Sequence, residues 1–228
     1  SPMQAITSVH LLREASDLEV NIDLIFSIPS QSLLDWEDTL TQALALQPEH
    51  LSAYNLTYEE DTAFFQKFQS GDYKDDPGLN AEMFSLSQEI LTTAGYEHYE
   101  TSNYSLPGRR SRHNEGYWAG NDYLGLGPSA VSTLNRTRHQ TVCDTSQYMK
   151  RIASIGHAQE KIEILDDEAW RLERIALQLR TTEGLPLKYL LPDANLDSIN
   201  HLVRKTATHL QLINDGPLLV DSIAAELA

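Results

Sequence analysis

Alternating apolar and polar residues mark the first strand of the chain. Between Val20 and Ile28 every second side chain is apolar, and Asn21, Asp23 and Ser27 lie among the alternate positions. A period of two predicts a strand with one apolar face and one largely polar face. Such a strand suits a barrel with outer helices and a polar lumen. The alternative is an ordinary half-exposed edge strand.

Helical and strand patterns then follow one another. Ser32 and Asp35 match a capping box, and leucines at helical spacing follow them up to Pro48. A second strand is predicted over residues 51–58. A strand, a helix and a strand within about 40 residues favour parallel pairing with a right-handed crossover.

The rest of the chain divides into three parts: predicted helices and a strand, a long loop, and a mostly helical region. Helices are predicted over 62–68 and 80–93, and a strand over 96–104, before a Gly-, Arg- and aromatic-rich stretch that predicts a long structured loop. After Asp166, apolar stripes at 169–179 and 199–210 predict two helices, and a short strand is predicted over 218–220.

Charge and composition exclude several classes of function. The sequence has 33 acidic and 17 basic residues and a net charge of −16, which disfavours nucleic acid and anionic lipid as partners. The single cysteine, Cys143, excludes a disulfide framework and any CxxC metal pattern. No apolar run is long enough for a membrane span, and we expect a cytoplasmic protein.

Four segments carry a family resemblance. Residues 21–32 are similar to an N-x-D-L-I-Y-G-L-P-x-Q-T pattern, and the others are residues 50–59, 95–127 and 179–185. Together they resemble the oxygen-independent coproporphyrinogen III oxidase-like (HemN/HemW) radical SAM family. The pattern H-N-x-x-Y-W, starting at His113, is closer to the HemW heme-chaperone branch. Ser27, Ser129 and Val131 depart from the family, in which many relatives carry Gly, Gly and His.

The resemblance implies an α/β fold in three parts. Residues 1–105 would form the second half of a partial radical SAM (TIM-like) barrel. Residues 106–160 would form a β-rich, family-specific extension with the HNxxYW loop, and residues 161–228 a small, mostly helical, winged-helix-like domain. The barrel sheet would then have an open edge, for which the missing amino-terminal half-barrel or a second copy is the expected partner.

The resemblance also implies cofactors. In this family a CxxxCxxC loop binds a 4Fe–4S cluster and S-adenosylmethionine, and one cysteine cannot replace three thiolate ligands. We therefore expect this chain to lack the cluster-binding half. Asp23 and Thr57 are the implied contacts to S-adenosylmethionine, with structural roles as the alternative for each.

A tetrapyrrole is the implied ligand of the HNxxYW segment. Arg112, His113, Asn114, Tyr117 and Trp118 are its candidate contacts, since guanidinium groups suit propionates and aromatic faces suit a macrocycle. His113 is a candidate ligand of heme iron. The alternatives are a structural histidine and plain packing aromatics.

Three functions follow from the resemblance. The first is a heme-binding or heme-delivery protein, and the second is oxidative decarboxylation of coproporphyrinogen III. The third is a truncated or degenerate binding module without redox chemistry. No catalytic residue is assigned, and the chain by itself is expected to be inactive as a radical SAM enzyme.

Overall fold

The computed structural model describes residues 2–15, 17–60 and 62–228. The chain divides into two compact units, residues 1–111 and 112–228. The described helices and strands of the first unit are α1 (Pro2–Ala15), β1 (Asn21–Phe26), α2 (Leu33–Ala45), β2 (His50–Asn55), α3 (Ala63–Gln69), α4 (Pro77–Thr93), β3 (Glu97–Glu100) and β4 (Asn103–Ser105).

A four-stranded sheet in the order β1-β2-β4-β3 organises the first unit. β1 and β2 pair in parallel, with Ile22 opposite Leu51, as the strand–helix–strand pattern predicts. Helix α2 begins with the predicted capping box, in which Ser32 and Asp35 exchange hydrogen bonds. Both α2 and α4 contribute to the core beside the sheet, where the Trp36 indole N–H donates to Ser87 Oγ at 2.9 Å.

Two predicted strands of this unit differ from the structure. The single strand expected over 96–104 is wrong, because β3 and β4 pair as an antiparallel hairpin. Its turn is stabilised by the Ser102 N–H, which donates to the Glu100 carboxylate at 2.9 Å. Strand β2 ends at Asn55, three residues before its predicted end, so Thr57 lies in a connecting segment instead of at the strand end.

The second unit contains two small antiparallel sheets, ordered β5-β6-β7 and β8-β10-β9. Its elements are α5 (Arg112–Trp118), β5 (Val131–Leu134), β6 (Thr137–Thr141), α6 (Thr145–Ile155), β7 (Gln159–Ile164), α7 (Asp167–Gln178), β8 (Leu185–Pro186), β9 (Val203–Lys205), β10 (His209–Leu212) and α8 (Val220–Leu227), with 3₁₀ turns at Leu187–Tyr189 and Gly216–Leu219.

The core of this unit lies between α7, α8 and the sheet of β8, β9 and β10. Ile175 of α7 and Leu179, which follows its end, pack in one cluster with Leu185, Leu210 and Ile223. This packing confirms the apolar stripe predicted over 169–179.

Three predictions for this unit are wrong. The segment at residues 112–118 is helix α5 and not an irregular loop. Residues 199–210 form a turn and the hairpin of β9 and β10, because the Thr206 hydroxyl accepts from the His209 N–H and closes a tight turn. Residues 218–220 belong to a 3₁₀ turn and the start of α8. The segment after residue 161 thus has more strand than predicted.

The architecture is α/β, as predicted, and the sheet of the first unit is open. Among the described strands, β1 pairs only with β2 and occupies one edge of that sheet. Within the described residues, no helix has the length and apolar character required to cross a bilayer.

Candidate functional site

A chain of hydrogen bonds follows the polar face of the first sheet. The Tyr99 hydroxyl lies 2.6 Å from His50 Nε2, and His50 Nδ1 lies 2.7 Å from Asn21 Oδ1. The Asn21 amide in turn donates to Asp23 Oδ1 at 2.8 Å. These partners fit a neutral imidazole that donates from Nδ1 and accepts at Nε2. Burial lowers the pKa of His50, in agreement with the neutral form.

The two residues implied in S-adenosylmethionine binding are both exposed. Asp23 lies in the middle of β1, and its carboxylate is held by the Asn21 amide. Thr57 follows the end of β2 by two residues. His50 and Tyr99 lie in the family-like segments 50–59 and 95–127, but sequence reasoning did not identify either as a site residue.

Two arginines that precede the HNxxYW segment form ion pairs. Arg109 pairs with Glu19, and Arg110 pairs with Glu97 at 3.1 Å. The Arg110 guanidinium also lies 5.3 Å from the centre of the Tyr99 ring. Both residues belong to the first unit, whereas the HNxxYW segment belongs to the second.

Helix α5 carries the HNxxYW segment. His113 and Tyr117 are four residues apart, so they share one face of the helix, and both are exposed. Arg112 is exposed too, whereas Asn114 and Trp118 are half-buried. The Tyr117 ring lies 5.3 Å from the Trp118 ring and 5.4 Å from the Tyr123 ring, both between ring centres. The helix therefore presents an imidazole and a phenol side by side, backed by two aromatic rings.

Helix α7 holds the end of α5 in place. Arg174 Nη1 and Gln178 Nε2 both donate to the Ala119 carbonyl, at 3.3 and 3.2 Å. The Arg180 guanidinium lies 5.7 Å from the centre of the Trp118 ring. Arg180 lies in the family-like segment of residues 179–185, whereas the sequence gave no sign of Arg174 or Gln178.

Tyr117 also lines a cleft of about 210 Å³ within the second unit. Its other lining residues are Gly120, Asn121, Tyr123, Val131, Thr133, Arg138, Glu173, Arg174 and Leu177. Arg138 and Arg174 both form ion pairs with Glu173. No group of three or more His, Cys, Asp or Glu side chains within the described residues is arranged to hold a metal ion.

Several proteins of known name are similar in sequence. The heme chaperone HemW of Synechocystis is 42% identical over 171 residues, which are 72% of this chain and 41% of that protein. HemW of Bacillus subtilis is 32% identical over 183 residues, 80% of this chain and 48% of that protein. The mitochondrial radical S-adenosyl methionine domain-containing protein 1 of the mouse is 34% identical over 175 residues, which are 73% of this chain and 40% of that protein. The chain is homologous to the HemW group of radical SAM proteins.

The fold agrees with this homology. Coproporphyrinogen III oxidase HemN of Escherichia coli, a radical SAM enzyme, superimposes with a TM-score of 0.78 over 98% of this chain and 58% of that one, at 20% identity. The comparison with family models gives no match. The chain spans about half the length of its HemW relatives, between 41% and 55%.

Proposed function

We propose that this HemW homologue binds heme on the exposed face of α5, as part of a heme-delivery protein. The observation that carries the proposal is the pairing of His113 and Tyr117 on that face. His113 is exposed, and among the described residues no hydrogen bond or ring contact involves its imidazole. A side chain of this kind is available to bind heme iron through nitrogen.

The neighbouring side chains suit the rest of the macrocycle. Tyr117 and the half-buried Trp118 offer aromatic surface, and Asn114 lies next to the histidine in sequence. Arg112, exposed at the start of α5, suits a propionate. These four residues and His113 form the proposed heme site.

This chain can contribute contacts to S-adenosylmethionine but not the ligands of the iron–sulfur cluster. One exposed cysteine, Cys143, does not fit the three thiolates that a 4Fe–4S cluster needs, so we assign no cluster to these 228 residues. Asp23 fits a contact to S-adenosylmethionine, because its exposed carboxylate still has acceptor capacity. Thr57 is a weaker candidate, since it lies beyond β2. We propose that the cluster-bearing half-barrel, or a second copy, pairs with the free edge of β1.

The fold match with HemN favours a second candidate, oxidative decarboxylation of coproporphyrinogen III. Radical chemistry of this kind is supplied by the cofactor, while the protein holds and shields the substrate. Anaerobic turnover of coproporphyrinogen by the protein together with a cluster-bearing half would support it. Heme binding without turnover supports the delivery function. A reducing compartment such as the cytoplasm suits a protein with one cysteine.

The heme proposal is tested by titrating the chain with heme and recording the Soret band. Substitution His113→Ala is expected to weaken binding at least tenfold and to shift the band, since the axial ligand is lost. His157→Ala is the matched control, because His157 is equally exposed in the same unit but follows α6. Equal spectra and affinities for the two variants would remove His113 as the ligand. Absence of any heme binding would overturn the delivery function and leave the decarboxylation and degenerate-module candidates.

A further inference from the structure

We infer that the cleft beside Tyr117 binds one carboxylate side group of the tetrapyrrole, through Arg138 and Arg174. The inference rests on the proposed heme site and extends it, since Tyr117 belongs to both α5 and the cleft. The macrocycle itself would stay outside, against Tyr117 and His113.

The size of the cleft favours a side group over a whole ring. Pockets that enclose a complete small-molecule ligand have volumes of roughly 300–1,000 Å³. This cleft has about 210 Å³. It therefore has room for one arm of a large planar ligand, and the aromatic pair of Tyr117 and Tyr123 lies on its wall, 5.4 Å apart between ring centres.

The charges that line the cleft favour an anion. Two guanidinium groups, Arg138 and Arg174, line it together with a single carboxylate, Glu173. The Arg174 side chain is only 3% exposed, and its Nε has no hydrogen-bond partner among the described residues. Buried donors are nearly always satisfied in native proteins, so this unpaired Nε leaves the positive charge of Arg174 only partly compensated next to the cleft.

Arg138 is the residue best able to receive the ligand. Its Nη2 pairs with Glu173, and its Nη1 donates to Glu163 at 2.8 Å. Glu163 does not line the cleft, and its side chain is 58% exposed. Exposed ion pairs contribute little to stability, so a carboxylate in the cleft can replace Glu163 at low cost. The fork of the guanidinium suits a two-oxygen acceptor.

The test compares heme with heme dimethyl ester, in which both carboxylates are neutral. The wild-type chain is expected to bind the ester about tenfold more weakly for each charge-assisted contact that is lost, one to Arg112 and one in the cleft. Arg138→Gln is expected to weaken binding of heme by a similar factor and to leave binding of the ester unchanged. Its Soret band should match that of the wild type, because His113 still binds the iron. Arg138→Lys should recover part of the affinity.

Arg204→Gln is the control, because Arg204 lies on β9 of the same unit and contacts Gln211, away from the cleft. Circular dichroism and thermal unfolding establish that each variant is folded. Equal affinity of the wild type for heme and its ester would overturn the inference and the propionate contact of Arg112, while His113 as the iron ligand stands. An equal loss for both ligands in Arg138→Gln would overturn the inference as well. If the wild type binds neither ligand, the proposed function itself fails.

Discussion

Two serines occupy backbone positions that favour glycine. Ser27 and Ser129 both have a φ of 62°. Many members of the family carry glycine at these two positions. The chain therefore has serine where its backbone adopts the left-handed conformation that favours glycine. A side chain in this conformation costs roughly 1–2 kcal/mol, which glycine avoids. The sequence marked both positions as departures from the family, and the structure shows that their backbone is left-handed.

Ser129→Gly is therefore expected to stabilise the second unit. Relief of the left-handed cost, less the greater chain entropy of glycine, predicts a gain of about 0.5 kcal/mol in the free energy of unfolding. Ser154→Gly is the control, since Ser154 lies in α6 and glycine costs about 0.5 kcal/mol there. Urea unfolding of both variants measures the difference. A loss of stability in Ser129→Gly would contradict the interpretation.

At the scale of elements, the contact between α5 and α7 positions the candidate heme site. Arg174 of α7 lies against Gly120, two residues beyond the end of α5, and 4.1 Å from the centre of the Trp170 ring. A Cβ on Gly120 would lie 0.7 Å from Arg174 Nη1, and Gly120 has a φ of +74°. The glycine is therefore needed both for its backbone and for the space it leaves.

Gly120→Ala is expected to destabilise the second unit by about 2–3 kcal/mol. The left-handed backbone accounts for roughly 1–2 kcal/mol, and displacement of the buried guanidinium adds the rest. Gly156→Ala is the matched control, because Gly156 has a φ of +77° but no atom within 4 Å of an added Cβ. Thermal and urea unfolding of both variants measure the two losses, and their difference gives the cost of displacing Arg174. Equal losses in both variants would show that Arg174 moves away freely.

At the scale of the whole molecule, titration of buried and half-buried groups sets the pH range of stability. Burial lowers the pKa of His50 and of His98 from the ordinary 6.5, so the folded chain resists their protonation while the unfolded chain does not. The contribution of the two neutral histidines to the free energy of unfolding is complete above pH 6.5 and is lost as the pH falls below that value. Burial alone would raise the pKa of Glu49, but the hydrogen bond that it accepts from Arg13 lowers this pKa below 4.5. The free energy of unfolding therefore falls a second time below about pH 4.5, where Glu49 begins to be protonated in the unfolded chain.

The stability of the chain is therefore expected to fall between pH 6.5 and 5, before the carboxylates titrate. Urea midpoints over this range measure the effect. His50→Gln should lower stability at neutral pH, because Tyr99 and Asn21 lose a partner, and should flatten the pH dependence. His157→Gln, at an exposed position, should leave the curve unchanged. Parallel curves for wild type and His50→Gln would exclude His50 as the titrating group.

The sequence by itself determined the local structure that rests on short-range rules. The capping box of Ser32 and Asp35, the period-two strand β1 and the stripe of α7 are of this kind, because each depends on neighbouring residues. The family resemblance also followed from the sequence, and it directed attention to His113 and Tyr117.

Only the tertiary structure decided which distant residues meet. Periodicity misread the hairpin of β9 and β10 as a helix, because the turn at Thr206 and the packing of Leu210 on α7 are not encoded in apolar spacing. For the same reason the sequence did not predict the chain of hydrogen bonds from Tyr99 to Asp23 or the cleft lined by Arg138 and Arg174. Such sites join residues far apart in the chain, so their chemistry appears only when the fold brings them together.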